Sequence, residues 1–299
     1  MCVLRNVVGL IVVLTSAALL ALAQSSEQQV VKVDVALVSI NVAVTNSKGR
    51  HVPGLREMDF QVTDRGTQVP LEFFERDGPA NIVFVVDTST SMKGERWKKL
   101  SKSLRKVLLT CHSDYRYSLV SFADRAQVVA LDVTGEELWM SFSQLKLDGD
   151  TALYDGLLLG LETVRACTQR QKALVLLSDG ADNKSVATLE DVASAAYTVK
   201  TAIYTVGLLI RTSDGKVITS ERDGQDILLE LAWATGALAS FPKEFMTTEV
   251  LKSILTDIGS QYTLSYYAPD DQTGWRDVRV AVASDPRLRL RYQSRYRRE

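Results

Sequence analysis

A chain of 299 residues is long enough for one large domain or two ordinary ones. Hydrophobic content of 46% and charged content of 24% are those of a folded protein, which excludes long disorder. With 35 Lys+Arg against 36 Asp+Glu, the chain lacks the basic surplus that draws a protein to nucleic acid.

Near the start, Arg5 precedes an apolar run from Val7 to Leu22, broken only by Gly9, Thr15 and Ser16. Ala21-Leu22-Ala23 suits a small-x-small cleavage site, and polar Gln24-Ser25-Ser26 follows. Residues 1–23 are therefore predicted to be a secretory signal peptide, which places the mature chain outside the cytoplasm (secreted, periplasmic or envelope-associated). The run is short for a membrane span, which needs about 20 residues. No span is expected after cleavage, and an uncleaved anchor is the alternative. Cys111 and Cys167 would then sit in an oxidising compartment, where either a disulfide or two buried thiols fits.

Val30 to Thr45 alternates like a strand: Val31, Val33, Val35 and Leu37 in one phase, then Ile40, Val42 and Val44 in the other, which suggests a bulge or two short strands. Asn46 to Gly49 is a turn. Asp59 to Thr63 and Val69 to Phe74 are further strands around the turn Asp64-Arg65-Gly66. Residues 28–77 thus form a small β module. After Gly78-Pro79 the pattern changes. Asn81 to Val86 is continuously apolar, as in a strand buried on both faces of a parallel sheet. A helix is predicted from about Glu95 to Cys111, with Trp97, Leu100, Leu104, Val107 and Leu108 on one face and a basic run (Lys98, Lys99, Lys102, Arg105, Lys106) on the solvated one.

Tyr115 to Phe122 and Gln127 to Leu131 read as a hairpin, 136–145 and 152–167 as helices, and Ala173 to Leu177 as a second fully apolar strand. A helix over 189–200, a strand over 202–206, a helix over 226–235, a short strand at 239–241 and a last helix over 248–259 complete the series. Apolar strands alternating with amphipathic helices imply an α/β fold, a doubly wound, mostly parallel sheet covered on both sides, over 79–260. From Gln261 the period returns to two: Tyr262, Leu264 and Tyr266; Val278, Val280 and Val282; then Leu288, Leu290 and Tyr292 interleaved with arginines that are expected to face water. Residues 261–296 are expected to pack with the N-terminal β module, making the α/β domain an insertion.

Chemistry gathers at the ends of the two most apolar strands. The first runs into Asp87-Thr88-Ser89-Thr90-Ser91 and the second into Ser178-Asp179-Gly180. A third loop, Gly149-Asp150-Thr151, meets a helix start at Ala152 to Asp155. Ligands of open α/β sheets bind beyond the carboxyl ends of strands where the strand order reverses. The candidate ligands Asp87, Ser89, Ser91, Thr151 and Asp179 all offer oxygen, which suits a hard cation such as Mg2+. With contacts to carboxylates running partly through water, the cation stays electron-poor and accepts an outside carboxylate. Taken singly each piece is commonplace: Asp87 suits a helix N-cap, and Asp179-Gly180 an ordinary turn. Asp182-Asn183 either borders the ligand or makes a polar turn, Tyr154 and Asp155 are expected to fix a helix start, and Arg211 to Asp223 is a long polar excursion.

At these residues the chain resembles a von Willebrand factor type A domain from about Pro79 to Ser260. Phe84 to Met92 resembles that family's first strand and metal loop, Asp150 to Asp155 its threonine loop, and Leu176 to Gly180 its final aspartate loop. The resemblance implies a Rossmann-like sheet with one antiparallel edge strand, and a role in protein–protein adhesion. It also implies a metal-ion-dependent adhesion site at Asp87, Ser89, Ser91, Thr151 and Asp179, holding Mg2+ (or Mn2+ or Ca2+) and binding a protein partner through an Asp or Glu carboxylate. The flanks, with Leu55, Asp59 to Val62, Asp64 and Gly66 before the domain and Gln261 to Tyr267 after it, resemble the exported relatives described from acidobacteria. Ser294-Arg295-Tyr296 departs from that pattern, which has glycine before the tyrosine.

No enzymatic reading fits as well. A haloacid-dehalogenase-type phosphatase needs a second aspartate two residues after the first, and position 89 is serine. His51 lies in the β module, and His112 ends a helix of about 24 Å that starts at the metal edge. Phosphate-loop and zinc motifs are missing. The chain is therefore expected to be non-enzymatic. A scaffold subunit of an envelope complex is the second reading.

Overall fold

The computed structural model describes residues 37–76, 78–110, 114–210, 216–218, 222–243 and 246–298. The predicted signal peptide, Cys111, His112 and most of the polar excursion after Ile210 lie outside these residues.

Strand β5 (Ala80–Asp87) is buried along its whole length because it sits in the middle of a six-stranded sheet. It pairs in parallel with β6 (Arg116–Phe122) on one side and β8 (Gln171–Ser178) on the other. Successive side chains point to opposite faces of a strand, so β5 feeds two cores at once. Ile82, Phe84 and Val86 face helices α1 (Glu95–Leu108), α2 (Gly135–Ser143) and α6 (Thr247–Gly259). Val83 and Val85 face α3 (Leu153–Ala166), α4 (Leu189–Val199) and α5 (Arg222–Ala234). This double coverage explains an apolar run without alternation. Close packing has a specific requirement at Gly160 of α3, where a Cβ would come within 2.5 Å of Val85.

The sheet order is β10-β9-β8-β5-β6-β7, with β9 (Ala202–Gly207) and β10 (Ala239–Ser240) parallel to β8. Edge strand β7 (Ala126–Val133) runs antiparallel to β6. From β5 the chain moves outward to β6 and β7, then returns to β8 and winds the other way. The reversal therefore falls between β5 and β8, and their carboxyl ends flank the crevice where ligands bind in such sheets.

Segments from before and after this α/β unit interleave in two antiparallel four-stranded sheets. In the first, β1 (Leu37–Thr45) pairs with β11 (Tyr262–Tyr267) over Leu37 to Val42 and with β13 (Arg289–Arg291) over Ala43 to Thr45. Within the described residues β1 keeps one phase across that change of partner, with Val38, Ile40, Val42 and Val44 all buried. Val31, Val33 and Val35, which carry the other phase anticipated in this segment, lie outside the described residues. In the second, β2 (Phe60–Asp64) pairs with β12 (Gly274–Val282) and β3 (Thr67–Val69), and β14 (Arg295–Arg298) adds to β12. The two sheets share a core that includes Val38, Ile40, Val62, Leu264, Val278, Val280 and Tyr296.

Three expectations need correcting. Val69 to Phe74 is not one strand. It divides into β3 and β4 (Phe73–Arg76), which belong to different sheets. Pro70 lies at the break, where its lack of an N–H ends ladder pairing. Asp64 is not in a turn. It ends β2, fully buried, where it accepts hydrogen bonds from Tyr266 (3.0 Å), Tyr296 (2.7 Å) and Arg276 Nε (2.9 Å). The arginines of the tail do not all face water either. Arg291 reaches Asp257 at the end of α6 at 2.5 Å and donates to the Gly236 carbonyl, tying the last helix to β13.

Candidate metal centre

Asp87 is the last residue of β5, and Ser178 the last of β8. The sheet register brings their side chains together: Ser178 Oγ donates to Asp87 Oδ2 at 2.7 Å. The other oxygen, Oδ1, accepts the backbone N–H of Ser89 at 2.9 Å, which bends the chain sharply as it leaves the strand. Ser89 and Ser91 then place their hydroxyls 3.0 Å apart, and Ser91 Oγ donates to Asp179 Oδ2 at 2.8 Å. One hydrogen-bonded chain therefore runs Ser178–Asp87–Ser89–Ser91–Asp179. Asp87, Ser89 and Asp179 are buried, and Ser91 is exposed at the mouth.

The loop bearing Thr151 is stitched to the first by backbone hydrogen bonds, Asp148 N to Thr88 O (2.9 Å) and Thr90 N to Gly149 O (3.1 Å). Thr151 itself is buried, and its N–H donates to Asn183 Oδ1 at 2.8 Å. Its carbonyl accepts the N–H groups of Asn183 and Lys184. The Thr151 hydroxyl takes no part in the hydrogen-bonded chain that links the other four candidates. Asp182 caps α3 by accepting from Leu153 N at 2.8 Å. Asp182 and Asn183 are thus occupied in joining the second and third loops, as a polar turn would be. Asp155 accepts from Val186 N and Ala187 N, which fixes the loop after β8 to the start of α3.

Gly180 adopts φ +85°, and a Cβ there would lie 2.3 Å from the Gly224 carbonyl oxygen. Only glycine fits both that backbone conformation and that approach, so it holds the turn that carries Asp179.

Burial is the main reason the Asp87 carboxyl is pushed up to about 6, with the nearby Asp179 charge adding to it. Hydrogen bonds from Ser89 and Ser178 oppose the shift. A buried carboxylate with a second one nearby is costly by itself and favourable beside a cation. Among the described residues no group of three or more His, Cys, Asp or Glu side chains is placed to hold a metal. A cation here would depend on hydroxyls and water beside two carboxylates, a donor set that fits a hard ion.

Sequence reading did not single out Arg96 or Ser178. Arg96, on the first turn of α1, folds back so that Nη1 donates to Asp179 Oδ2 at 2.7 Å and to the Ser91 carbonyl at 3.2 Å. In the sequence it reads as part of a basic helix, and its partner lies 83 positions away. Ser178 was legible only as the residue before Asp179. Its strand register against Asp87 is what gives it a role.

A doubly wound sheet with hydroxyl and carboxylate oxygens at its switch point is a ligand-binding arrangement. The chain belongs to the von Willebrand factor type A domain family, whose model matches residues 81–249. Among individual proteins, it is 28% identical to inter-alpha-trypsin inhibitor heavy chain H4 of Sus scrofa over 113 residues, which is 34% of this chain and 12% of that one. Among solved structures, a von Willebrand factor type A protein from Catenulispora acidiphila aligns with 88% of this chain and 73% of its own, at 12% identity and a TM-score of 0.49. Proximal thread matrix protein 1 of the mussel byssus, solved with a zinc-occupied adhesion-site motif, aligns with 66% of this chain and 50% of its own at 18% identity and a TM-score of 0.49.

Proposed function

We propose that this protein is an exported, non-catalytic binding module. In this reading Asp87, Ser89, Ser91, Thr151 and Asp179 hold one divalent cation, Mg2+ in the first instance, with Mn2+ or Ca2+ as substitutes. The cation takes a carboxylate of an Asp or Glu on a protein partner as its outer ligand. The observation that carries this is the hydrogen-bonded chain from Ser178 through Asp87, Ser89 and Ser91 to Asp179, which draws oxygen donors from two strand ends to the switch point. Hydroxyls as close as those of Ser89 and Ser91, 3.0 Å apart, are within reach of a common ion.

Export rests on the signal-like residues 1–23, and among the described residues no helix is long and apolar enough to cross a membrane. The proposed division is a β module from 28–77 and 261–296 with the type A domain, 79–260, between its two parts. The test is calorimetric titration with Mg2+ and Mn2+, followed by capture of partners from envelope extract with and without chelator, on wild type and Asp87→Ala. Capture that is lost with chelator and in the variant supports the reading. A folded wild-type protein with no affinity for either ion refutes it.

A further inference from the structure

The Arg96–Asp179 pair stands apart from the other ion pairs of these loops. Lys93–Asp148 and Lys184–Asp150 join side chains that are at least half exposed, and such pairs contribute little. Arg96 and Asp179 are only 13% and 5% exposed. Their contact is a 2.7 Å charge-assisted hydrogen bond, of the kind that is strongest when shielded from water. The accepting oxygen, Oδ2, is the same one that accepts the Ser91 hydroxyl. The guanidinium also holds the Ser91 carbonyl. It is therefore bound to the rim of the candidate centre itself.

We propose that Arg96 is a built-in competitor of the metal ion, a resident cation that neutralises Asp179 until a divalent ion displaces it. The proposal rests on the metal-binding reading given above. Counting charge makes the argument. Asp87 and Asp179 with Arg96 carry a net −1, whereas the two carboxylates alone would carry −2. A dication entering the centre meets half the net negative charge and a like charge next to Asp179, so its affinity is lowered. After entry the centre carries +1 instead of zero. That surplus favours an anionic outer ligand, so the arginine weakens the hold on the metal while strengthening the pull of the metal-loaded centre on an acidic partner. Displaced from Asp179, the guanidinium of Arg96 would lie beside that partner's carboxylate, a group that its planar fork is suited to bind.

The test is Mg2+ and Mn2+ titration of wild type, Arg96→Gln and Arg96→Lys by calorimetry, with circular dichroism as the check on folding. Arg96→Gln is expected to bind each ion at least tenfold more tightly than wild type, and Arg96→Lys, which keeps the charge, to stay within a few-fold of wild type. Equal or weaker binding by folded Arg96→Gln overturns the proposal and makes Arg96 a positioning residue for Asp179. If Arg96→Gln does not fold, arginine side-chain NMR of wild type decides. The Arg96 guanidinium signal, assigned through Arg96→Lys, is expected to move when Mg2+ saturates the protein. A signal unmoved at saturation overturns competition while leaving the metal site intact. No binding by any folded protein refutes the metal reading itself.

Discussion

Ser178 donates its hydroxyl proton to Oδ2 of Asp87 at 2.7 Å, joining the carboxyl ends of the two central strands on either side of the switch point. That bond, with the one from Ser89 N, offsets only part of the cost of burying the Asp87 charge, and the carboxyl stays pushed up to about 6. The folded state therefore binds this proton more tightly than the unfolded chain does. Its contribution to stability is complete below the ordinary value of 3.8 and is lost as pH rises through about 6. In chelator at neutral pH, Asp87→Asn is expected to be more stable than wild type by about 3 kcal/mol, the equivalent of roughly two pKa units. Denaturant melts from pH 4 to 8 check this: the gain should grow as pH rises to about 6. A variant less stable than wild type at pH 7.5 would mean the site is not strained by its charge.

The turn holding Asp179 depends on two glycines facing each other. A Cβ on Gly180 would lie 2.3 Å from the carbonyl oxygen of Gly224, and φ at Gly180 is +85°. Both obstacles are backbone, which cannot move aside as a side chain can. Gly180→Ala is expected to displace Asp179, weaken Mg2+ binding at least tenfold and cost about 1–3 kcal/mol of stability. Gly49 is the control. It also has positive φ, but open space surrounds its missing Cβ, so Gly49→Ala should cost about 1 kcal/mol and leave Mg2+ binding unchanged. Equal effects of the two on titration would show that the close approach is irrelevant to the site.

What could be read from sequence follows from which interactions are local. Asn81 to Val86 and Ala173 to Leu177 were legible because burial on both faces leaves an unbroken apolar run, and Asp87 and Asp179 follow directly from where those runs stop. The loop of Thr151 was legible by resemblance, but the backbone bonds from Asp148 and Thr90 that attach it to the first loop leave no mark on side-chain identity. Arg96 was hidden for a different reason: a basic residue on a basic helix reads as solvated, and only the tertiary fold brings Asp179 to it. Arg276 marks the middle ground. It lies in phase with Val278, Val280 and Val282, which was itself a sign that it points inward, against the habit of reading arginine as exposed.

That inward arginine is fully buried. Its Nε donates to Asp64 at 2.9 Å and its Nη1 to Asp270 at 2.7 Å. It thereby links β12 to the end of β2, across the join between the N-terminal and C-terminal segments. Removing one member of a buried pair leaves the other charge without compensation. Arg276→Met is expected to lose about 3–5 kcal/mol, measured by urea unfolding, and the double variant Arg276→Met/Asp64→Asn to recover part of it. A double variant as unstable as the sum of both single ones would mean that the two residues act independently.

Asp270 gives the same cluster a dependence on acid. Hydrogen bonding from Arg276, more than any other cause, holds its carboxyl down at about 2, against an ordinary 3.8. The sign is opposite to that at Asp87: a depressed folded value supplies stability that is present above 3.8 and disappears as pH falls toward 2. Asp270→Asn removes that contribution. The melting temperature of wild type is expected to exceed that of the variant at pH 5, and the gap to close as pH is lowered to 2. The pair is open to solvent on the Asp270 side, with 37% of that side chain exposed, so added salt should narrow the gap at pH 5 as well. A gap that is constant from pH 5 to pH 2 would assign the effect of the substitution to packing and take the acid dependence away from this pair.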